Sequence, residues 1–376
     1  MKNRLREIFE ISRHKKENIL SMEGLRGFAV FLVFLVHYSS LTETYLLPGN
    51  LTWDIKNIFS QIGNSGVDLF FVLSGFLIYG MLIQKEQTYI FYISRRIKRI
   101  YPTFLVVFFL YVILGFIFPD ENKIPQKAGE AVIYLIENLL LLPGIFNIEP
   151  LITVAWSLSY EFLFYLVTPW IVYGLHLRTW KFQHRILLII FISLALFVFF
   201  IIYGGPIRVL MFFSGMVLYE VVTNSQWKPY KYLGVVALFT AMVWLAVFPG
   251  TKLIEEVKYG FLSICLFIFC WECFSINGQI QKLFSWTPIR WYGNISYSYY
   301  LLHGLTLKGI FLILGKLLPS ETPSPWMYWG LITPVFAITL VVAFVLFVFV
   351  EKPLSLSTGA MKFSLLKDST NKSDVG

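Results

Sequence analysis

The stretch "LRGFAVFLVFLVHYSS", residues 25–40, decides how this chain is read. Its apolar run is of membrane grade, yet it opens on Arg26 and holds His37 eleven residues later. At about 100° per residue, those steps bring His37 back to within about 20° of Arg26, with a rise of roughly 16 Å. The two side chains share one helix face, one at the rim and one inside. An ionisable group in lipid costs about 3 kcal/mol or more unless it is paired or faces water, so both residues call for a reason.

The rest of the chain matches that stretch. Of 376 residues, 57% are hydrophobic, 18% aromatic and only 14% charged, and the mean hydropathy is +0.68. This is the composition of an integral membrane protein. Runs long enough to cross about 30 Å of hydrocarbon fall at 25–46, 63–83, 101–118, 154–175, 186–203, 206–223, 232–249, 257–274, 289–314 and 328–350. The expected fold is therefore all-α: a polytopic bundle of roughly ten transmembrane helices. The piece 128–143 is shorter, carries Glu130 and Glu137, and reads as interfacial or half-inserted.

Charge sets the topology. Every second loop is rich in Lys and Arg: Lys2 to Lys16, Lys85 to Arg99, Arg178 to Arg185, Lys228 with Lys231, and Lys282 with Arg290. Positive-inside bias then puts both termini in the cytoplasm, and the net charge of +9 is spent on topology rather than on nucleic acid. The first apolar run is too long for a cleaved signal peptide and is expected to stay as an anchor. Residues 1–20 read as a basic cytoplasmic segment, 21–353 as the membrane domain and 354–376 as a flexible cytoplasmic tail. Cys265, Cys270 and Cys273 share one apolar span without ligand histidines, so no metal site is expected. No internal repeat stands out, which weighs against an inverted-repeat transporter.

The ionisable residues inside the apolar runs are Arg26, His37, Asp68, Glu161, Arg208, Glu220, Glu272, His303 and Lys308. Arg26 reads either as a snorkelling rim residue or as a ligand contact. Asp68 opens "GNSGVDLFFVLSGFLIYG", residues 63–80, where Gly66, Ser74, Gly75 and Gly80 allow close helix approach. In "FYISRRIKRIYP", Arg96 and Arg99 are three apart and would face one way on a helix. Their forks suit phosphate oxygens, although a basic juxtamembrane cluster is also ordinary topology signalling. Glu161, in "AWSLSYEFLFYLVTP", falls at a depth close to that of His37, which suggests a carboxylate–histidine pair and a general base. "IRWYGNISYSYYLLHGLTL" would bring Asn294, Tyr297 and His303 into the same layer.

The residues Arg26-x10-His37, "GVDLFFVLSGFLI", "RRIKRIYP", "WSLSYEFLFY", "YSYYLLH" and "VEKP", in that order from about Ser21 to Pro353, resemble the membrane-bound acyltransferase-3 family. The resemblance implies a multi-pass enzyme of the cytoplasmic (inner) membrane. Such an enzyme takes an acyl group, commonly acetyl, from acyl-coenzyme A as donor co-substrate, with no bound cofactor, to a carbohydrate hydroxyl. It further implies His37 as the essential histidine, Arg26 as its partner, Arg96 and Arg99 as contacts for the nucleotide end of coenzyme A, and Glu161 as a required carboxylate. Asp68, Asn294, Tyr297 and His303 would support the site, the last three as candidate oxyanion donors. Membrane lipids, a surface-polysaccharide or lipid-linked acceptor and other polysaccharide-biosynthesis proteins are the partners this suggests. Some members carry a fused extracytoplasmic esterase-like domain. The tail after Pro353 does not read as one, so transfer straight to an acceptor or to a separate protein is expected. Two other readings stay open: a proton-coupled transporter with His37, Glu161 and His303 as relay, and a non-catalytic subunit of a polysaccharide export complex.

Overall fold

The computed structural model describes residues 8–10, 20–247, 252–275, 278–317 and 324–356, so most of the basic leading segment and the tail lie outside the described residues. The described chain is helical. Its α-helices are α1 (Leu20–Leu41), α2 (Leu51–Gly63), α3 (Ser65–Gln84), α4 (Tyr89–Ile117), α5 (Ala128–Leu139), α6 (Ala155–Gly174) and α7 (Phe182–Tyr203). There follow α8 (Leu210–Asn224), α9 (Leu233–Val247), α10 (Lys252–Ser275), α11 (Gln279–Phe284), α12 (Thr287–Asn294), α13 (Ser296–Leu317) and α14 (Pro325–Leu346). The last runs straight into a π-helix, Phe347–Leu356, that contains Pro353.

Among the described residues, eight stretches are long and apolar enough to cross a membrane: α1, α2 with α3, α4, α7, Ile207–Asn224, Glu256–Ser275, α13, and α14 with the π-helix. The protein is thus polytopic, but two of the ten expected spans fall short of that standard for different reasons. The 20-residue α6 has the length, but Ser157, Ser159, Glu161 and Thr168 dilute its apolarity. The described part of α9 is apolar but holds 15 residues, about 22 Å of helix against about 30 Å of hydrocarbon. The expected span 289–314 is also divided, because α12 ends at Asn294 and α13 starts at Ser296.

Helix α1 is the central post, packed on α2, α3, α10, α11, α12 and α13. It buries Leu25, Ala29, Val30, Val33 and Phe34. Helix α7 is its opposite, exposing Leu187, Phe191, Leu194 and Val198 at three- and four-residue spacing, the stripe a lipid-facing helix presents. Helices α3 and α8 cross at glycine. A Cβ on Gly75 would lie 2.1 Å from the Phe212 carbonyl oxygen and one on Gly215 2.0 Å from that of Val72. No side chain fits there, so the sequence's small residues fix the approach. Helices α1, α4 and α13 run away from the face that carries the basic loops, and α3 and α6 run back towards it.

Candidate active site

His37 lies on α1, partly buried, with its ring 5.1 Å from that of His303 on α13. His303 is completely buried and stacks on Tyr299 at 5.3 Å. Its Nδ1 sits 3.0 Å from the Tyr299 carbonyl oxygen and 2.9 Å from that of Tyr300. A carbonyl only accepts, so Nδ1 carries the hydrogen. In the neutral ring Nε2 is then a bare lone pair, and it has no hydrogen-bond partner. His303 therefore presents a buried nitrogen that can accept a hydrogen bond. In this tautomer the neutral ring has no hydrogen on Nε2 to donate to an oxyanion.

The expected Glu161–His37 pair is not formed. Glu161 Oε1 accepts from Ser74 Oγ of α3 at 2.6 Å and from the Tyr165 hydroxyl one turn along α6. Depth explains the difference. The Tyr300 hydroxyl meets Ser157 Oγ at 2.5 Å, which levels those two residues. From there His303 lies three residues outward on α13, and Glu161 four residues inward on α6. That separates the histidines from the carboxylate by about 10 Å along the bundle. Ser157, Glu161 and Tyr165 form a polar stripe at four-residue spacing that leads from the histidines towards the basic face.

On that face the two arginines of the R-x-x-R spacing part company. Arg99 Nη1 donates to Glu351 Oε1 at 2.7 Å. Glu351 is fully buried, and its Oε2 accepts from the Ser298 N–H at 3.0 Å and the Ser298 hydroxyl at 2.5 Å. The Tyr297 ring lies 5.4 Å from the Arg99 guanidinium. Arg99 thus closes a network tying α4, α13 and the π-helix. Arg96 enters no ion pair among the described residues. Its guanidinium lies over the rings of Tyr92 and Tyr165 at 5.8 and 5.9 Å, and Nη2 donates to the Met81 thioether at 3.7 Å. Arg26 is partly buried on the first turns of α1.

The layer expected to hold Asn294, Tyr297 and His303 together is spread out, because the break at Ile295 leaves Asn294 on the short α12. Asn294 Nδ2 donates to the Phe9 carbonyl at 3.1 Å, beside the Glu23–Arg290 ion pair of 2.9 Å. Tyr297 donates its hydroxyl to the Ile100 carbonyl at 2.9 Å. Only His303 reaches His37. Asp68 pairs with Arg208 through two 2.8 Å bonds at the far face, with Trp156 and Tyr259 over the guanidinium. Glu220 takes both prongs of Arg185 at 2.6 and 2.9 Å, and Glu272 accepts the Tyr232 and Gly234 N–H groups at the start of α9. Lys308 pairs with Glu121. These are architectural ion pairs and a cap rather than open sites.

Three parts of the site escaped the sequence reading. Glu351 stands in the quoted "VEKP" but had no role there; Pro353 two residues on was the visible sign of an irregular helix end. Ser157 and Tyr165 were visible as the four-residue repeat around Glu161. Ser74 passed as a small packing residue. No group of three His, Cys, Asp or Glu side chains comes together among the described residues, and Cys265, Cys270 and Cys273 are buried thiols.

A family model described as an acyltransferase domain matches residues 19–348. Among curated proteins, the peptidoglycan O-acetyltransferase OatA of Listeria monocytogenes is 26% identical, over 95% of this chain and 59% of that protein. The putative peptidoglycan O-acetyltransferase YrhL of Bacillus subtilis is 24% identical over 91% and 56% respectively. The acyltransferase MdmB of Streptomyces mycarofaciens is 33% identical, over 40% of this chain and 38% of its own. The chain therefore spans a little over half the length of the first two relatives. No solved structure matches it. With the family model covering nearly all of the helical bundle, from α1 into the π-helix, this chain belongs to the membrane-bound acyltransferase-3 family.

Proposed function

We propose that this protein transfers an acyl group, acetyl first among them, from acyl-coenzyme A to a hydroxyl of a cell-envelope carbohydrate. The basic face is the cytoplasmic one and receives the donor. The observation that carries this reading is the His37–His303 pair, in which the buried Nε2 of His303 has no hydrogen-bond partner. Family membership supports the reaction class, and the names of the two long relatives support a cell-wall glycan as acceptor.

In this reading His37 removes the proton from the acceptor hydroxyl as its oxygen attacks the thioester carbonyl. The C–S bond then breaks, and the imidazolium returns the proton to the departing thiolate. His303 stands beside His37 with its bare Nε2 open to a hydrogen bond, and only one of the two rings is charged at a time because like charges at that distance repel. Ser157 and Tyr300, bonded hydroxyl to hydroxyl and to the Val154 carbonyl with the Tyr300 ring 6.0 Å from that of His303, would turn a hydroxyl to the oxyanion. Glu161 acts one layer below, holding Ser74 and the Tyr165 ring on which Arg96 rests. A proton-relay transporter would need Glu161 in contact with the histidines, and its hydrogen bonds go elsewhere.

The test uses purified protein, acetyl-coenzyme A and a peptidoglycan fragment, with thiol release as the readout. Release should depend on the acceptor and fall by about a hundredfold or more in His37→Ala. Turnover unchanged in a well-folded His37→Ala protein would remove His37 from the chemistry. Uptake driven by a pH gradient in proteoliposomes, with no acyl donor present, would favour a transporter instead.

A further inference from the structure

Helix α7 is the least buried of the membrane-grade stretches. Its outward stripe of Leu187, Phe191, Leu194 and Val198 rises over about 16 Å, close to the about 15 Å of hydrocarbon in one leaflet. At the basic end the same stripe continues, at three-residue spacing, through His184 and Lys181, which are both exposed. With Thr179 and Trp180 these two residues line a shallow, open pocket of about 420 Å³, a size within the about 300–1,000 Å³ of small-ligand sites.

The backbone under the pocket is fixed from inside. Arg185 is buried on another face of α7 and gives Nε and Nη2 to Glu220 at 2.6 and 2.9 Å. Its Nη1 donates to the Trp180 and Leu177 carbonyls at 2.8 and 3.3 Å, and Thr179 Oγ1 donates to the His176 carbonyl at 2.9 Å. The lining itself is positive and uncompensated. The Lys181 and His184 side chains enter no ion pair or hydrogen bond among the described residues. Glu220 is taken by Arg185, and Glu86 reaches only Arg178, at 3.7 Å. No side chain caps the start of α7, so its first N–H groups add to the positive potential there.

We propose that Thr179, Trp180, Lys181 and His184 form a headgroup site for an anionic glycerophospholipid whose acyl chain lies along Leu187, Phe191, Leu194 and Val198. The lipid phosphate accepts from the Lys181 ammonium and a His184 ring N–H, and the half-exposed Trp180 ring sits at headgroup level, as interfacial tryptophans do. A soluble phosphate would use the cationic head of this stripe and leave the apolar tail unused. A phosphatidylcholine would use the tail but bring a cation to Lys181. An anionic lipid satisfies both halves at once. Because α7 packs on α8 and α10, the lipid belongs to the flank of the bundle, and the site stands whether or not the protein transfers acyl groups.

The test is native mass spectrometry of the full chain released from nanodiscs that hold equal amounts of phosphatidylglycerol and phosphatidylcholine. The parent should retain phosphatidylglycerol about tenfold over phosphatidylcholine, and the Lys181→Gln, His184→Gln double variant should bring that ratio to within about twofold of unity. Lys282→Gln removes one exposed charge elsewhere on the basic face and should leave the ratio unchanged. Melting temperatures in phosphatidylcholine alone should agree among the three proteins, and the rise on adding phosphatidylglycerol should be lost only in the double variant. No preference in the parent, or a preference that survives in the double variant, would overturn the site. So would an equal loss in Lys282→Gln, which would show a diffuse surface-charge effect. Displacement of phosphatidylglycerol by an equal concentration of glycerol 3-phosphate would give the pocket to a free phosphate and overturn the lipid assignment.

Discussion

Arg96 and Arg99 occupy one face of α4, three residues apart, in opposite surroundings. Arg99 is held by a fully buried carboxylate that is itself satisfied by a backbone N–H and a hydroxyl. Arg185, Arg208 and Arg290 follow the same pattern with Glu220, Asp68 and Glu23. Arg96 rests on two aromatic faces and a thioether, with a buried N–H unpaired. The first arrangement is complete as folded and the second is not. In a membrane protein, where unpaired charge is expensive, an arginine joined to its carboxylate reports on architecture, and one left among aromatic rings reports on a ligand.

The sharpest way to break this comparison is at Glu351. Glu351→Ala strands Arg99 and the two Ser298 donors inside the protein, and removal of one partner of a buried ion pair costs about 3–5 kcal/mol. Thermal unfolding of the purified protein in detergent should show a large fall. The Arg99→Met, Glu351→Met double variant should recover most of it, since replacing both charges by apolar volume is often neutral. An unchanged melting temperature in Glu351→Ala would mean that the pair is not architectural.

The mirror experiment is Arg96→Gln. No ion pair is lost, so stability should stay within about 0.5 kcal/mol, while the KM for the acyl donor rises about tenfold with little change in kcat. A collapse in stability with unchanged KM would put Arg96 in the same class as Arg99.

The contrast was hidden in the sequence because helical geometry speaks only within a helix. The period of α1 places Arg26 and His37 on one face without further information, and the structure keeps them on one unbroken helix. It also lines up Arg96 with Arg99. What it cannot supply is the partner across the bundle: Glu351 is 252 positions from Arg99, and Asp68 is 140 from Arg208. Similar depth was a poor substitute, since Glu161 lies four residues inward of the Ser157–Tyr300 contact and His303, which His37 faces, three residues outward of it. The break at Ile295 was marked only by Gly293-Asn294 just before it, within a stretch otherwise rich in apolar and aromatic residues. Asn294 therefore seemed to belong to a layer it does not reach. The bundle itself was legible, and α6 escaped the length-and-apolarity standard because the polar residues that dilute it are those of the site.

The smallest expected effect tests whether Glu161 belongs to the chemistry or to the donor end. Tyr165→Phe deletes the hydroxyl that bonds Glu161 but keeps the ring under Arg96. Glu161 Oε1 retains its 2.6 Å bond from Ser74, so the carboxylate is left one donor short rather than unpaired. A hydrogen bond to a charged group contributes about 1.5–3 kcal/mol at most, and water at this partly exposed carboxylate would replace part of it. The expected outcome is a rise in donor KM of about twofold to fivefold, with kcat held within about twofold. A fall in kcat of a hundredfold or more at unchanged KM would instead place the Tyr165–Glu161 pair with the reacting atoms. The division of the bundle into a donor end around Arg96 and a reacting centre around His37 and His303 would then have to be redrawn.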